Sequence, residues 1–90
     1  MHVWYEAKRK SNLEKHGLDF KDAHLVYENP DKYTYEAGRQ SEHRWMDLAT
    51  AVIRGRLLTL IYTKRDDDVR AISFRPASRE EREQYEQDKK

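Results

Sequence analysis

Ninety residues make one domain, residues 1–90, able to bury roughly 60–65% of its unfolded surface in a modest core without staples. Charged residues (39%) outnumber hydrophobic ones (37%), yet the many aromatics exclude disorder, and the absence of cysteine excludes disulfides and thiolate metal sites. A formal net charge of only +1 excludes an argument for nucleic acid from the whole-molecule field. The longest apolar run, Leu57–Tyr62, is far short of the ~20 residues of a membrane span.

Taken in chain order, Val3-Trp4-Tyr5 predicts a short first strand. The opening "MHVWYEAKRK" is charged and has no apolar h-region, so no secretory signal is expected and a bacterial-type cytoplasmic location is the default. Glu6 to His16 reads as a helix of good formers, ended by Gly17 at the C′ position. Asp19 caps a second helix, whose Phe20, Ala23, His24 and Tyr27 share one face, and Pro30 stops it. A meander follows: Tyr33–Tyr35, a polar loop with Gly38, Arg44–Leu48, the continuously apolar and therefore central Leu57–Thr63, a "KRDDD" turn, and Val69–Arg75. Pro76 lacks a ladder N–H and ends the last strand. Ser78 and Glu81 then form a capping box for a terminal helix from Arg79 to about Asp88. The expected fold is α+β, in the order β-α-α-β-β-β-β-α, with an antiparallel sheet and the helices packed on one face.

The charge is distributed unevenly. Residues 1–16 hold Lys8, Arg9, Lys10 and Lys15 against Glu6 and Glu14, a local +2. Along the last strand, alternation sends Ile72 and Phe74 one way and Ala71, Ser73 and Arg75 the other. Arg75 and Ser73 would then stand on the open face beside Arg79, at the positive end of the terminal helix. A guanidinium fork, a hydroxyl and a helix N-terminus make a phosphate seat. The plainer alternative is that Arg75 pairs with Asp47 or a tail glutamate. Lys8, Asn12 and Lys15 fall at i, i+4 and i+7, a stripe too polar to be core. It is either a solvated basic face or a basic wall presenting Lys15 and His16 at the edge of a cleft. A histidine exchanges protons near neutral pH, although at a helix end it also serves simply as a C-cap. No metal is expected: Glu42-His43 and the separated His16 and His24 lack ligand spacing, and Asp66-Asp67-Asp68 lacks the glycine and distal glutamate of a calcium loop. There is no Gly-rich phosphate loop and no GxSxG elbow.

Three motifs stand in order with consistent intervals. They are Trp4, Lys8, Asn12, Lys15-His16-Gly17, Phe20 and Ala23; then Ile61–Arg65, "IYTKR"; then Arg70, Ile72-Ser73, Arg75, Ala77-Ser78, Glu81 and Tyr85. From Val3 to Tyr85 the chain resembles BrnT, the toxin of BrnT–BrnA type II toxin–antitoxin systems. The resemblance implies a RelE-like fold, ribonuclease activity that halts translation, and neutralisation by a small BrnA-like antitoxin with a ribbon-helix-helix DNA-binding part. Operator DNA would be reached only through that antitoxin, and neither membrane nor cofactor is implied. Metal-free RNA cleavage needs a base for the 2′-hydroxyl proton, an acid for the leaving oxygen and cations for the phosphorane. On the matching motifs, Lys15 and His16 take the proton-transfer and substrate-orienting roles, and Arg65 and Arg75 neutralise the scissile phosphate. Ser73, Arg79, Lys8 and Asn12 hold the substrate. Trp4 and Trp45 are expected in the core rather than stacked on bases. The competing class is a non-enzymatic module whose basic face receives an acidic antitoxin segment or DNA. The near-neutral charge argues against autonomous DNA binding.

Overall fold

The computed structural model describes residues 1–37, 44–51 and 55–89. The expected loop around Gly38, with Glu42 and His43, lies outside them. Extended residues His2–Val3 (β1) lead into helix α1, Glu6–His16. Gly17 closes α1 in the left-handed region (φ 71), its N–H on the Leu13 carbonyl at 2.8 Å, a conformation glycine adopts without cost. The expected second helix is broken in two. Asp19 caps a single 3-10 turn over Phe20–Asp22, and one α-helical turn follows, α2 at His24–Tyr27. Both pieces turn apolar side chains inward: Phe20, Ala23 and Val26 are buried. Strands β2 (Tyr33–Ala37), β3 (Arg44–Ala51), β4 (Arg56–Arg65) and β5 (Asp68–Pro76) form the meander, and α3 covers Arg79–Lys89.

The strands lie in the order β1-β5-β4-β3-β2, so the apolar β4 is central, as its continuous run implies. The sheet is mixed rather than antiparallel. β1 runs parallel to β5, pairing His2 with Val69 and Val3 with Arg70. Side-chain alternation carries no strand direction, and two residues are too few to announce a crossover.

Nor do the helices share one face. Leu58, Leu60, Tyr62 and Phe74 project toward Leu18, Phe20, Ala23 and Val26, forming the main core, with Trp4 and Trp45 packed against it. The intervening residues project to the opposite face. There Tyr33, Tyr35, Met46 and Leu57 make a second apolar patch that Ala77 and Tyr85 cover. That patch needs a lid, and α3 supplies it through Tyr85, whose ring meets Tyr33 edge-on at 5.4 Å.

A register shift between Ile61 and Tyr62 corrects the expected facing of β5. Ser73 pairs with Ile61 but Ala71 with Tyr62, so Ile72 is the extra residue of a bulge. Ala71 (6% exposed) therefore joins Phe74 on the core side, and Ile72 is only half-buried. Ser73 and Arg75 keep the opposite side, the one α3 caps.

Candidate functional site

Asn12 positions the end of α1. β1 covers only the first part of the outer edge of β5, and farther along that edge the Asn12 carboxamide takes the place of a strand. Its Oδ1 accepts from the Phe74 N–H at 3.1 Å, and its Nδ2 donates to the Phe74 carbonyl at 2.8 Å and to the Leu18 carbonyl at 3.0 Å. A side-chain amide thus reproduces the two-bond exchange of an antiparallel neighbour. Asn12 is 8% exposed, so the middle of the Lys8–Asn12–Lys15 stripe docks the helix instead of facing solvent. Lys8 and Lys15 flank it, both exposed.

The clamp brings the next turn of α1 against the end of β5. His16 is half-buried, and among the described residues its ring has no hydrogen-bond partner. Burial first, then the charges of Lys15 and Arg75, push its pKa below the ordinary 6.5. At neutral pH it is an uncharged imidazole held among cations.

Arg75 follows the plainer of the two expectations, with a glutamate of the C-terminal helix and not with Asp47. Its Nη1 and Nη2 donate to the two Glu81 carboxylate oxygens at 2.8 and 2.9 Å, and Nη1 also reaches the Pro76 carbonyl at 3.4 Å. Three bonds leave two of the five guanidinium N–H donors uncommitted. Glu81 accepts as well from the Ser78 N–H (2.8 Å) and the Thr59 hydroxyl (2.8 Å), while the Glu81 N–H donates to Ser78 Oγ (3.2 Å). The expected capping box is present, and its carboxylate also anchors Arg75. Burial pushes the Glu81 pKa up, but the bonds from Arg75, Ser78 and Thr59 outweigh it and hold it at about 2. Asp47, fully buried on the other face, is taken by Lys32 (2.7 Å), Thr34 (2.7 Å) and Tyr62 (3.1 Å).

The other expected site residues spread along the same face. Ser73 lies on β5 two residues before Arg75. Arg79 opens α3 with its side chain 86% exposed, 3.3 Å from Glu83. Arg65 stands opposite Asp68, whereas Arg75 stands opposite Thr59. Seven residues of strand separate the two places, roughly 20 Å, so Arg65 and Arg75 do not meet on one phosphate. The sequence names Arg70 only as a motif position and gives Tyr5 no site role. In the structure they touch, the Arg70 guanidinium 4.9 Å from the centre of the Tyr5 ring.

What the fold presents, then, is a small α+β domain with a neutral histidine, an exposed lysine and a braced arginine gathered where a helix end meets a strand. That is equipment for handling an anionic substrate. The chain belongs to a family described as "Ribonuclease toxin, BrnT, of type II toxin-antitoxin system", which it matches over residues 4–81. No curated protein matches it. The matched span holds α1, the four strands β2–β5 and Glu81, the last residue of the capping box. Among the described residues no three His, Cys, Asp or Glu side chains cluster as a metal site would require, and no helix is long and apolar enough to cross a membrane.

Proposed function

We propose that this chain is a metal-independent endoribonuclease that inhibits translation, with its reaction centre at His16, Lys15 and Arg75. The observation that carries the assignment is the state of His16, half-buried, without a hydrogen-bond partner among the described residues, and held uncharged by burial, Lys15 and Arg75. A base must be neutral to accept a proton at working pH. His16 takes the 2′-hydroxyl proton, the freed oxygen attacks the adjacent phosphorus, and the bond from phosphorus to the 5′-oxygen breaks. The 5′-oxygen leaves with a proton taken from water, giving a 2′,3′-cyclic phosphate and a 5′-hydroxyl end. Lys15 supplies cationic charge to the phosphorane. Arg75, with its charge balanced by Glu81, supplies N–H donors held in place before the substrate arrives. Ser73 and Arg79 hold the phosphates on either side, and Lys8 extends the basic wall. Asn12 acts through the placement of α1 and not through substrate.

The rest of the reading follows from the family. A BrnA-like ribbon-helix-helix antitoxin neutralises the enzyme in the cytoplasm and carries the pair to operator DNA, and the fold is a RelE-like variant. The test is end-labelled RNA incubated in EDTA with wild type, His16→Ala and Lys15→Ala. Cleavage by wild type to cyclic-phosphate ends, reduced about a hundredfold or more in His16→Ala, is the expected result. Equal cutting by His16→Ala removes the histidine from the chemistry. Loss of all wild-type cutting in EDTA removes the metal independence. Growth arrest on expression, relieved by a co-expressed antitoxin, tests the cellular role.

A further inference from the structure

The face of the sheet that carries Ser73 and Arg75 is only partly covered. Tyr85 of α3 packs on residues of β2, β3 and β4 and not on the β5–β1 margin, where Arg65 is exposed and Arg70 half-buried. On that margin strand pairing places Arg65, Thr63, Arg70 and Val3 on the same side as Ser73 and Arg75. Val3, Thr63, Arg65, Asp68 and Arg70 line a shallow cleft there. At its rim Tyr5 is 57% exposed, with the Arg70 guanidinium against it at 4.9 Å. Among the described residues neither Arg65 nor Arg70 lies within ion-pair distance of a carboxylate. The nearest acid on this side, Asp68, lies 4.0 Å from the N-terminal ammonium.

We infer that the Tyr5–Arg70 pair is a base-stacking subsite for single-stranded RNA, at the far end of a track that begins at His16 and Arg75. The inference rests on the ribonuclease reading. Arg70 lies five residues along β5 from Arg75, roughly 16 Å, a span that a few nucleotides of extended strand bridge. Single strands are held by such a combination: aromatic faces that accept any base, and cations that follow the backbone. Tyr5 offers the stacking face, Arg70 fixes the ring from behind and meets a phosphate, and Arg65 serves the next phosphate outward. Arg65 thus contributes to binding rather than to neutralising the scissile phosphate. The subsite makes cleavage depend on the length of RNA to one side of the cut while leaving the base at that position unselected.

The probe is a fluorescein-labelled 2′-O-methyl RNA about ten nucleotides long, which lacks the attacking hydroxyl and so reports binding alone by anisotropy. Tyr5→Ala is expected to weaken binding about tenfold with an unchanged salt slope, and Tyr5→Phe to bind like wild type. Arg70→Ala is expected to weaken binding and lower the salt slope by about one phosphate. Tyr5 is exposed and Arg70 half-buried, and a circular-dichroism melt verifies each fold. If Tyr5→Ala and Arg70→Ala bind and cut unmodified RNA as wild type does, the subsite is overturned and the ribonuclease reading stands. If wild type binds through Tyr5 but cuts nothing, the subsite stands and that reading falls. A folded wild type that ignores RNA, yet needs Arg70 to hold its antitoxin, assigns the margin to the protein partner and overturns the inference.

Discussion

The two faces of the sheet are built by different means. On one, Phe20, Leu18, Val26, Leu58, Leu60 and Phe74 are each no more than 2% exposed, and the hydrophobic effect does the assembling. On the other, among the described apolar residues only Ala77 and Tyr85 are buried, at 6% and 8% exposure. There the Arg75–Glu81–Thr59–Ser78 network and the Tyr35–Asp88 hydrogen bond hold α3 in place. A polar atom introduced among the side chains of the first face loses hydration unless it finds partners, as Asp47 does in Lys32, Thr34 and Tyr62. The second face tolerates lysine, arginine and histidine because water reaches it and a carboxylate braces it. Stability is concentrated on one face, and the chemistry proposed above draws on the other.

That division predicts unequal consequences of truncation. Phe74→Ala removes a fully buried ring from the main core and should cost about 3–5 kcal/mol, enough to unfold much of a small domain. Tyr85→Ala, at the edge of the second patch, should cost roughly 2 kcal/mol and leave the main core intact. Urea melts of the two variants decide the matter, and equal losses would mean that the faces are not energetically distinct.

Asn12 is where the two faces join. Asn12→Ala leaves the Phe74 N–H and carbonyl without partners on the β5 edge, a loss of about 2–3 kcal/mol. Lys8→Ala, one helical turn away, should stay within about 0.5 kcal/mol. Because Asn12 also sets where His16 sits, its loss should lower cleavage further than the unfolded fraction accounts for.

These residues also mark what the sequence made legible. Short-range signals worked: Gly17 as a helix end, the Ser78–Glu81 capping box, Pro76 as a strand end, the central apolar run of β4. Each depends on residues within a few positions. What escaped depends on register between distant segments. A bulge at Ile72 is invisible in a strand that alternates acceptably without it, and it reversed Ala71. Asn12 looked like surface because its partners are main-chain groups 62 residues away. Arg65 and Arg75 sit in similar motifs, yet the hairpin carries them to opposite ends of β5. The choice of Glu81 over Asp47 for Arg75 is a question of which face each side chain takes, and Asp47 takes the other.

Acid should loosen the second face. Glu81 titrates at about 2 when folded against an ordinary 4.5, so on acidification the unfolded chain takes up that proton first. The stabilisation is complete above pH 4.5 and is lost as pH falls toward 2. Glu81→Gln should therefore be less stable than wild type at pH 7, by about 1–2 kcal/mol, and should lose less on moving from pH 4.5 to 2. Asp19 lies on the helical side with Arg9 and, held by that guanidinium, also titrates at about 2, so a residual acid slope should survive in the variant. A slope identical to that of wild type would place the acid sensitivity away from the second face.

The smallest expected effect bears most directly on the chemistry. A neutral-imidazole base makes cleavage rise with pH through the His16 pKa and then level off. In wild type that limb lies below 6.5, because burial, Lys15 and Arg75 all disfavour the imidazolium. Lys15→Gln removes one of those positive neighbours and lets the proton stay on longer, so the limb should move upward toward 6.5. The same substitution also removes a cation from the phosphorane, which lowers the plateau. Height and position are therefore read separately, from a pH–rate profile and not from a single rate. Lys8→Gln, an equal change of charge farther up α1, should lower the plateau slightly and leave the limb in place. If both lysine variants keep the wild-type limb, the proton comes off something other than His16. If both move it equally, the histidine senses the basic wall as a whole and not its neighbour.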